Sequence, residues 1–287
     1  LLRLAIGIPA FDYSTLQKFI LRAYLLLLFG DIPAMAMVMR MKGHNGFSPC
    51  RMCNITGLRI PNKPKSTTHY VPLHRSNHPV VQQDPHAVRI YGGGDLPLRT
   101  HCEIVRQAKE VQFARTGTIA KALSRKYGIK GTSVLFHLSS VSFPTSFPYD
   151  FMHLVFENVV KHLISLWTGN IDGVHGDFEF DDPSVWQAVG GDAEGSGNTI
   201  PGAFGARPPN VAEPKGAATA DTSSFWLQYL GPVHLAKRFR RPEYYVHFVE
   251  LANLVNVCMQ FESSREVVSE LRAGFIAWVE GFEKYVH

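Results

Sequence analysis

Four short stretches have the residue types and spacing to do chemistry. Cys50-Arg-Met-Cys53 places two thiolates where one tight turn can bring both to a single Zn²⁺, which takes four ligands in a structural site. His44, His69, His74, His101 and Cys102 are the partners available by type, with His44 the candidate third ligand. Two ordinary loop cysteines would read the same way. Asp31 follows the apolar run Ala23–Phe29 after Gly30. At the carboxyl end of a buried strand a carboxylate projects into the crevice where such sheets bind ligands, and with other acids it can hold Mg²⁺ for phosphoryl transfer. Pro33, just past Asp31, equally fits an aspartate that caps a helix. Asp150-Phe-Met-His153 sets two side chains on one helix face, with Asp150 at the helix start and Glu157 on the face of His153. These three are either ligands for one metal or a cap, a core histidine and a solvated acid. Lys237-Arg-Phe-Arg-Arg241 is a basic cluster around an aromatic, suited to phosphate contact, though solvated turns look alike.

The elements that must position these groups are uneven in clarity. Ser14 predicts a helix cap, with Leu16, Phe19, Ile20 and Tyr24 on one side, passing into a strand over Ala23–Phe29. Residues 34–42 predict a short Met-rich helix. Residues 43–100, rich in Gly, Pro, His and Asn, predict an irregular insertion that needs a metal to hold its shape. Residues 101–127 predict helix, and 150–168 predict it strongly, with apolar residues recurring at three and four. GGDAEGSGNTIPGAFGARPPN predicts loop. Helix resumes from about 225, with Ser263 and Glu266 as a capping box before a face of Val267, Leu271, Phe275, Trp278 and Phe282. The resulting division is 1–42, 43–100, 101–168, 169–224 and 225–287. No internal repeat is present.

The 287 residues are 45% hydrophobic and 18% charged, a globular balance that excludes a disordered chain. A formal charge of +5 permits anionic partners. Four cysteines in a chain of this size do not make a secreted disulfide framework. The apolar run from Ala23 is cut by Gly30, Asp31 and Pro33, too short for a membrane span. The sequence begins on Leu1 and ends within a helical pattern, which reads as part of a longer protein.

Several blocks taken in order, GDIPA, KGHNGFSPCRMC, LPLRTH, SFPYDFMHLVFEN, LISLWTG, TIPGAFG, Trp226–Pro232 and YYVHFVELANLV, resemble the transposases of CACTA-type DNA transposons of mushroom-forming fungi. The resemblance spans nearly the whole chain. It implies an α/β fold with an RNase H-like core, here incomplete, a Cys-x-x-C insertion like a zinc knuckle and a helical C-terminal region. It also implies a three-acid Mg²⁺ site, cut-and-paste chemistry on transposon-end DNA in the nucleus, no membrane, and a homo-oligomer. Asp31 matches the family's second acid. Asp150 and His153 match its Asp/Cys-x-x-His motif, and Cys50 and Cys53 match its zinc-binding insertion. The first and third acids are expected outside residues 1–287, which leaves this chain inactive alone. Arg40, Lys42, Lys237, Arg238, Arg240 and Arg241 are the candidate phosphate contacts. The rival expectation is a non-catalytic, zinc-supported DNA- or protein-binding module derived from such an enzyme.

Overall fold

A computed structural model describes residues 1–44, 46–58, 73, 75, 79–84, 86, 89–171, 174–204, 207–213 and 219–286. The described chain is mostly helical with a small two-stranded sheet, and it divides into two compact units, Leu1–Tyr91 with Asp95–Asp150 and Gly92–Gly94 with Phe151–His287.

In the first unit α1 (Leu2–Ile6) leads into an antiparallel hairpin of β1 (Ile8–Asp12) and β2 (Gln17–Leu21), paired from Ile8↔Leu21 to Asp12↔Gln17. The helix expected from Ser14 does not form. The Asp12 carboxylate accepts from both the Ser14 amide (2.9 Å) and its hydroxyl (2.7 Å), so Ser14 closes a turn instead of capping a helix. Phe19 and Ile20 then pair across the hairpin with Ala10 and Pro9. The strand expected over Ala23–Phe29 is also absent. That stretch has no ladder and is held by scattered bonds, Leu28 N–H to Ser146 O (2.8 Å) and Ser140 Oγ to Leu25 O (2.8 Å). Leu25 and Leu28 pack on the core, while Leu26, Leu27 and Phe29 are exposed. A continuous apolar run therefore marks a segment covered on one side only.

Next come α2 (Ile32–Val38) and α3 (Pro79–Gln83), then α4 (His101–Gln112) and α5 (Gly117–Tyr127), which pack on each other. Thr100 and Glu103 form a full capping box at the start of α4, and Gly128 ends α5 in the left-handed region at φ 71°. Any Cβ at Gly128 would fall 1.9 Å from the Ser48 carbonyl oxygen, so glycine lets the cysteine loop lie against this helix end. Met35, Met39, Met41, Ile104, Ile129 and Phe143 lead the core of this unit.

In the second unit a π-helical turn, Met152–Val159, runs into α6 (Val160–Trp167), as the apolar spacing predicts. Then follow α7 (Pro183–Ser196), α8 (Ala220–Phe225) leading through a second π-turn, Trp226–Leu230, into α9 (Gly231–His234), and the long pair α10 (Pro242–Cys258) and α11 (Arg265–Val286). Trp167, Trp186, Trp226, Phe248 and Val255 anchor the core, with Trp167 edge-on to Phe248 at 5.5 Å. Two expectations are corrected here. The first seven residues of GGDAEGSGNTIPGAFGARPPN are the end of α7, because a bare Gly190 lets Asn210 and Ala212 pack where a Cβ would collide at 2.0 Å. The cap of α11 is Ser264, whose Oγ accepts from Val267 N–H (3.3 Å), one residue later than the expected Ser263. Among the described residues no helix is long and apolar enough to cross a membrane.

Candidate functional site

The cysteine turn is built from three distant parts of the first unit. Cys53 pairs with Leu98 as an isolated antiparallel bridge, and Arg99 N–H donates to Met52 O (2.9 Å) and Asn54 N–H to Pro97 O (2.8 Å). This pairing carries Arg99 under the turn. Its guanidinium, only 4% exposed, donates through Nε to the carbonyls of Cys50 and Cys53 (both 3.0 Å) and through Nη2 to Ser48 Oγ (2.8 Å). From the other side the 148–149 segment closes in. Arg51 Nη2 donates to Pro148 O (2.7 Å), the Arg51 guanidinium lies over the Tyr149 ring (3.9 Å), and the Tyr149 hydroxyl is 3.6 Å from Cys50 Sγ.

Electrostatics follow from this packing. Met52 N–H donates to Cys50 Sγ (3.3 Å), the N–H···S bond of a tight thiolate-bearing turn. A hydrogen bond from the Cys53 thiol, assisted by Tyr149 and the backbone amides, outweighs burial and holds Cys50 at about 5. The same bond, with burial and the Cys50 charge, pushes Cys53 up. The metal-free pair therefore carries one proton and one negative charge at neutral pH, with the cationic Arg51 and Arg99 beside it. Two convergent sulfurs with an N–H···S bond are suited to half of a tetrahedral zinc site. The other half is not assembled among the described residues, where no cluster of three or more His, Cys, Asp or Glu occurs. His44 does not join the cysteines, His101 Nδ1 accepts from Phe143 N–H (3.0 Å), and Cys102 is exposed. His69 and His74 lie outside the described residues.

Asp31 sits at the start of α2. Its Oδ1 accepts from Ala34 N–H (2.5 Å) and its carbonyl from Met35 N–H (3.0 Å), which is the capping alternative that Pro33 signals. It stands at the end of an irregular segment rather than a strand, and no acid cluster forms around it among the described residues. Asp150 belongs to the first unit and His153 to the second, where His153 Nε2 lies 3.9 Å from Glu157 Oε2. Two of the four cations in the basic stretch 237–241 are engaged: Arg238 pairs with Asp192 (2.8 Å), and Arg241 with Asp177 (3.3 Å) and Glu243, while Lys237 and Arg240 are exposed and form no ion pair among the described residues. Arg40 and Lys42 are exposed in the first unit.

Arg99, Arg51 and Tyr149 are the residues that spacing alone does not single out. Each lies inside a block quoted for the resemblance, Arg99 in LPLRTH, Arg51 between the cysteines and Tyr149 in SFPYDFMHLVFEN, but nothing local says that these blocks meet. No family model, curated protein or solved structure matches this chain.

Proposed function

We propose that this chain is part of a cut-and-paste DNA transposase of the CACTA type, acting on transposon-end DNA in the nucleus as a homo-oligomer. The observation that carries the reading is the meeting of three resemblance blocks, PCRMC, LPLRT and FPYD, around one cysteine turn through Arg99, Arg51 and Tyr149. Blocks far apart in sequence that build one charged, buried turn act as a unit. Further support comes from the exposed apolar side chains of the hairpin and its following segment, Phe11, Phe19, Ile20, Leu26, Leu27 and Phe29. An RNase H-like sheet completed by other parts of the protein would cover them.

In this reading Cys50 and Cys53 bind Zn²⁺ with ligands still to be assigned, and the metal holds the 43–100 insertion in shape. Asp31 contributes one Mg²⁺ ligand. Its Oδ1 is engaged by Ala34 N–H, while Oδ2 takes no hydrogen bond among the described residues and can face a metal. Magnesium bound by such an acid set activates water or a DNA 3′-hydroxyl and relieves charge on the leaving oxygen. Basic side chains neutralise the phosphates on either side. The chain alone, with one of three acids, is inactive.

The test is metal-dependent cleavage by the full-length gene product beside Asp31→Asn. Asparagine keeps the oxygen that caps α2 but loses the carboxylate charge, so the fold persists and cutting fails if Asp31 is a ligand. A variant that cuts as well as its parent makes Asp31 a cap only. A second reading, a zinc-supported binding module without catalysis, is favoured by that same cap and by the lack of an acid cluster among the described residues. It predicts DNA or protein binding with no cutting by either protein.

A further inference from the structure

We propose that a basic cleft of the first unit, remote in sequence from the 237–241 cluster, is where duplex DNA seats consecutive phosphates; this rests on the DNA-processing reading above. The cleft, of about 400 Å³, is lined by Arg40, Lys42, Lys121 and Lys130, with Gln112 and Ser124 among its other walls. Its frame is an antiparallel contact. Met41 bridges Ile129, Lys42 N–H donates to Gly128 O (2.8 Å) and Lys130 N–H to Arg40 O (2.6 Å). Met41 and Ile129 are buried in the core beneath, so the cations on either side of them are held on a rigid support. α5 adds Lys121 from the opposite wall, and Arg125, one turn further, extends the positive surface along the same helix.

Four observations favour a ligand site over a scatter of surface charge. All four cations are exposed, and among the described residues none forms an ion pair, whereas Arg238 and Arg241 are tied to carboxylates. Arg40 and Lys130 stand opposite each other in the register of the Met41–Ile129 bridge, which brings two like charges to the same cleft. Arg40 is also one of the few non-glycine residues at positive φ (59°), a backbone strain held in place by the bonds on either side. At Gly131 (φ 145°) a Cβ would fall 2.5 Å from Gln112 Oε1 and 3.6 Å from Arg40 Nη2, so glycine keeps side chains from crowding the guanidinium.

The form of the cleft selects the ligand. It is open, and its charges sit on long side chains rather than on an enclosing ring of backbone amides. It is also larger than a single phosphate needs. A run of cations with no acid among its lining focuses a positive potential that suits a polyanion. The sequence-independent backbone of DNA fits that description.

The experiment is fluorescence-anisotropy titration of a mixed-sequence duplex oligonucleotide with the 287-residue chain and its Lys121→Gln/Lys130→Gln variant over a range of salt. Loss of two phosphate contacts lowers the magnitude of the log K against log salt slope by about 1.8, so that a low-salt deficit shrinks roughly tenfold between about 50 and 200 mM. Matching thermal melting curves establish that the variant is folded, as two exposed side chains predict. Equal affinity and equal slope for the two proteins overturn the cleft. So does a wild-type chain that ignores the duplex yet binds inorganic phosphate in a manner dependent on these lysines, since that is a small-anion site. Failure of the full-length protein to cut DNA, with the slope difference intact, removes the transposase reading and leaves the cleft standing.

Discussion

Replacing Arg99 with methionine tests whether the cysteine turn is held by one buried cation. Methionine keeps an unbranched stem of similar reach and removes every donor. Three short bonds vanish, to the Cys50 and Cys53 carbonyls (3.0 Å each) and to Ser48 Oγ (2.8 Å), together with a longer one to Gln107 Oε1 (3.5 Å). A hydrogen bond from a charged donor nets about 1.5–3 kcal/mol, and the single Nε proton is shared between the two carbonyls, so the two donating N–H groups sum to roughly 3–6 kcal/mol before any offset. Burying a guanidinium costs several kcal/mol, and that penalty is recovered in the variant. The acceptors left behind keep their own desolvation cost, about 1–3 kcal/mol each. The expected net loss is about 3 kcal/mol, felt first at the turn. Urea titration in chelator, read by the rate at which Cys53 (3% exposed) becomes accessible to a thiol reagent, reports opening of this loop directly. A midpoint shift equivalent to less than about 1 kcal/mol, the worth of a single neutral bond, would refute the idea that Arg99 organises the site.

Two pH dependences follow from the same structure. Cys50 is held at about 5, below its ordinary 9.0, chiefly by the Cys53 thiol. In metal-free protein its alkylation, mapped by peptide mass spectrometry, should therefore have a midpoint near 5, and a midpoint near 9 would contradict the hydrogen-bonded pair. Because the folded value lies below the unfolded one, the stability this thiolate contributes is full above about 9 and is lost as pH falls through about 5. His247 in α10 is buried, stacked on Trp278 of α11 at 4.7 Å, with Nε2 2.8 Å from Trp278 O, while Trp278 Nε1 donates to His247 O (2.9 Å). Burial pushes its imidazole below the ordinary 6.5 despite the bond to Trp278 and the charge of Glu250. Its contribution is present above about 6.5 and lost as pH falls through the depressed folded value, since the unfolded chain takes up the proton first. The urea midpoint of the second unit, followed by tryptophan fluorescence, should fall between about pH 7.5 and about 5.5, on either side of the ordinary histidine value. His247→Phe should flatten that fall, and an equal fall in both proteins would place the proton elsewhere.

Much of the helical architecture was legible in advance. Phe151 to Leu166 repeats its apolar residues at three and four, and the helix is there, even though part of it opens into a π-turn. The cap of α11 misses by one residue because Ser263 and Ser264 are adjacent and either can accept, and the Thr100–Glu103 capping box of α4 emerges only with the structure. The N-terminal region was misread for a different reason. Leu16, Phe19 and Ile20 match a helical face, but the Asp12–Ser14 turn lets the same residues pair across a hairpin. Gly190 opens the glycine-rich stretch that predicts loop, yet its missing side chain is what allows Asn210 and Ala212 to pack on α7.

The sequence by itself determined the helices within 101–127, 150–168 and beyond 225, roughly where they begin, and that Cys50 and Cys53 share one turn. Those properties depend on residues within a few positions of each other, where spacing and hydrogen-bond geometry are nearly fixed by the chain. Only the tertiary structure decided that Arg99 and Tyr149 flank that turn, that Arg238 and Arg241 of the basic run are tied to carboxylates, and that four scattered cations at 40, 42, 121 and 130 share a cleft without one. The physical reason is that a charge acts through space. Its partners are chosen by the packing of distant elements, and the local sequence carries no record of that choice.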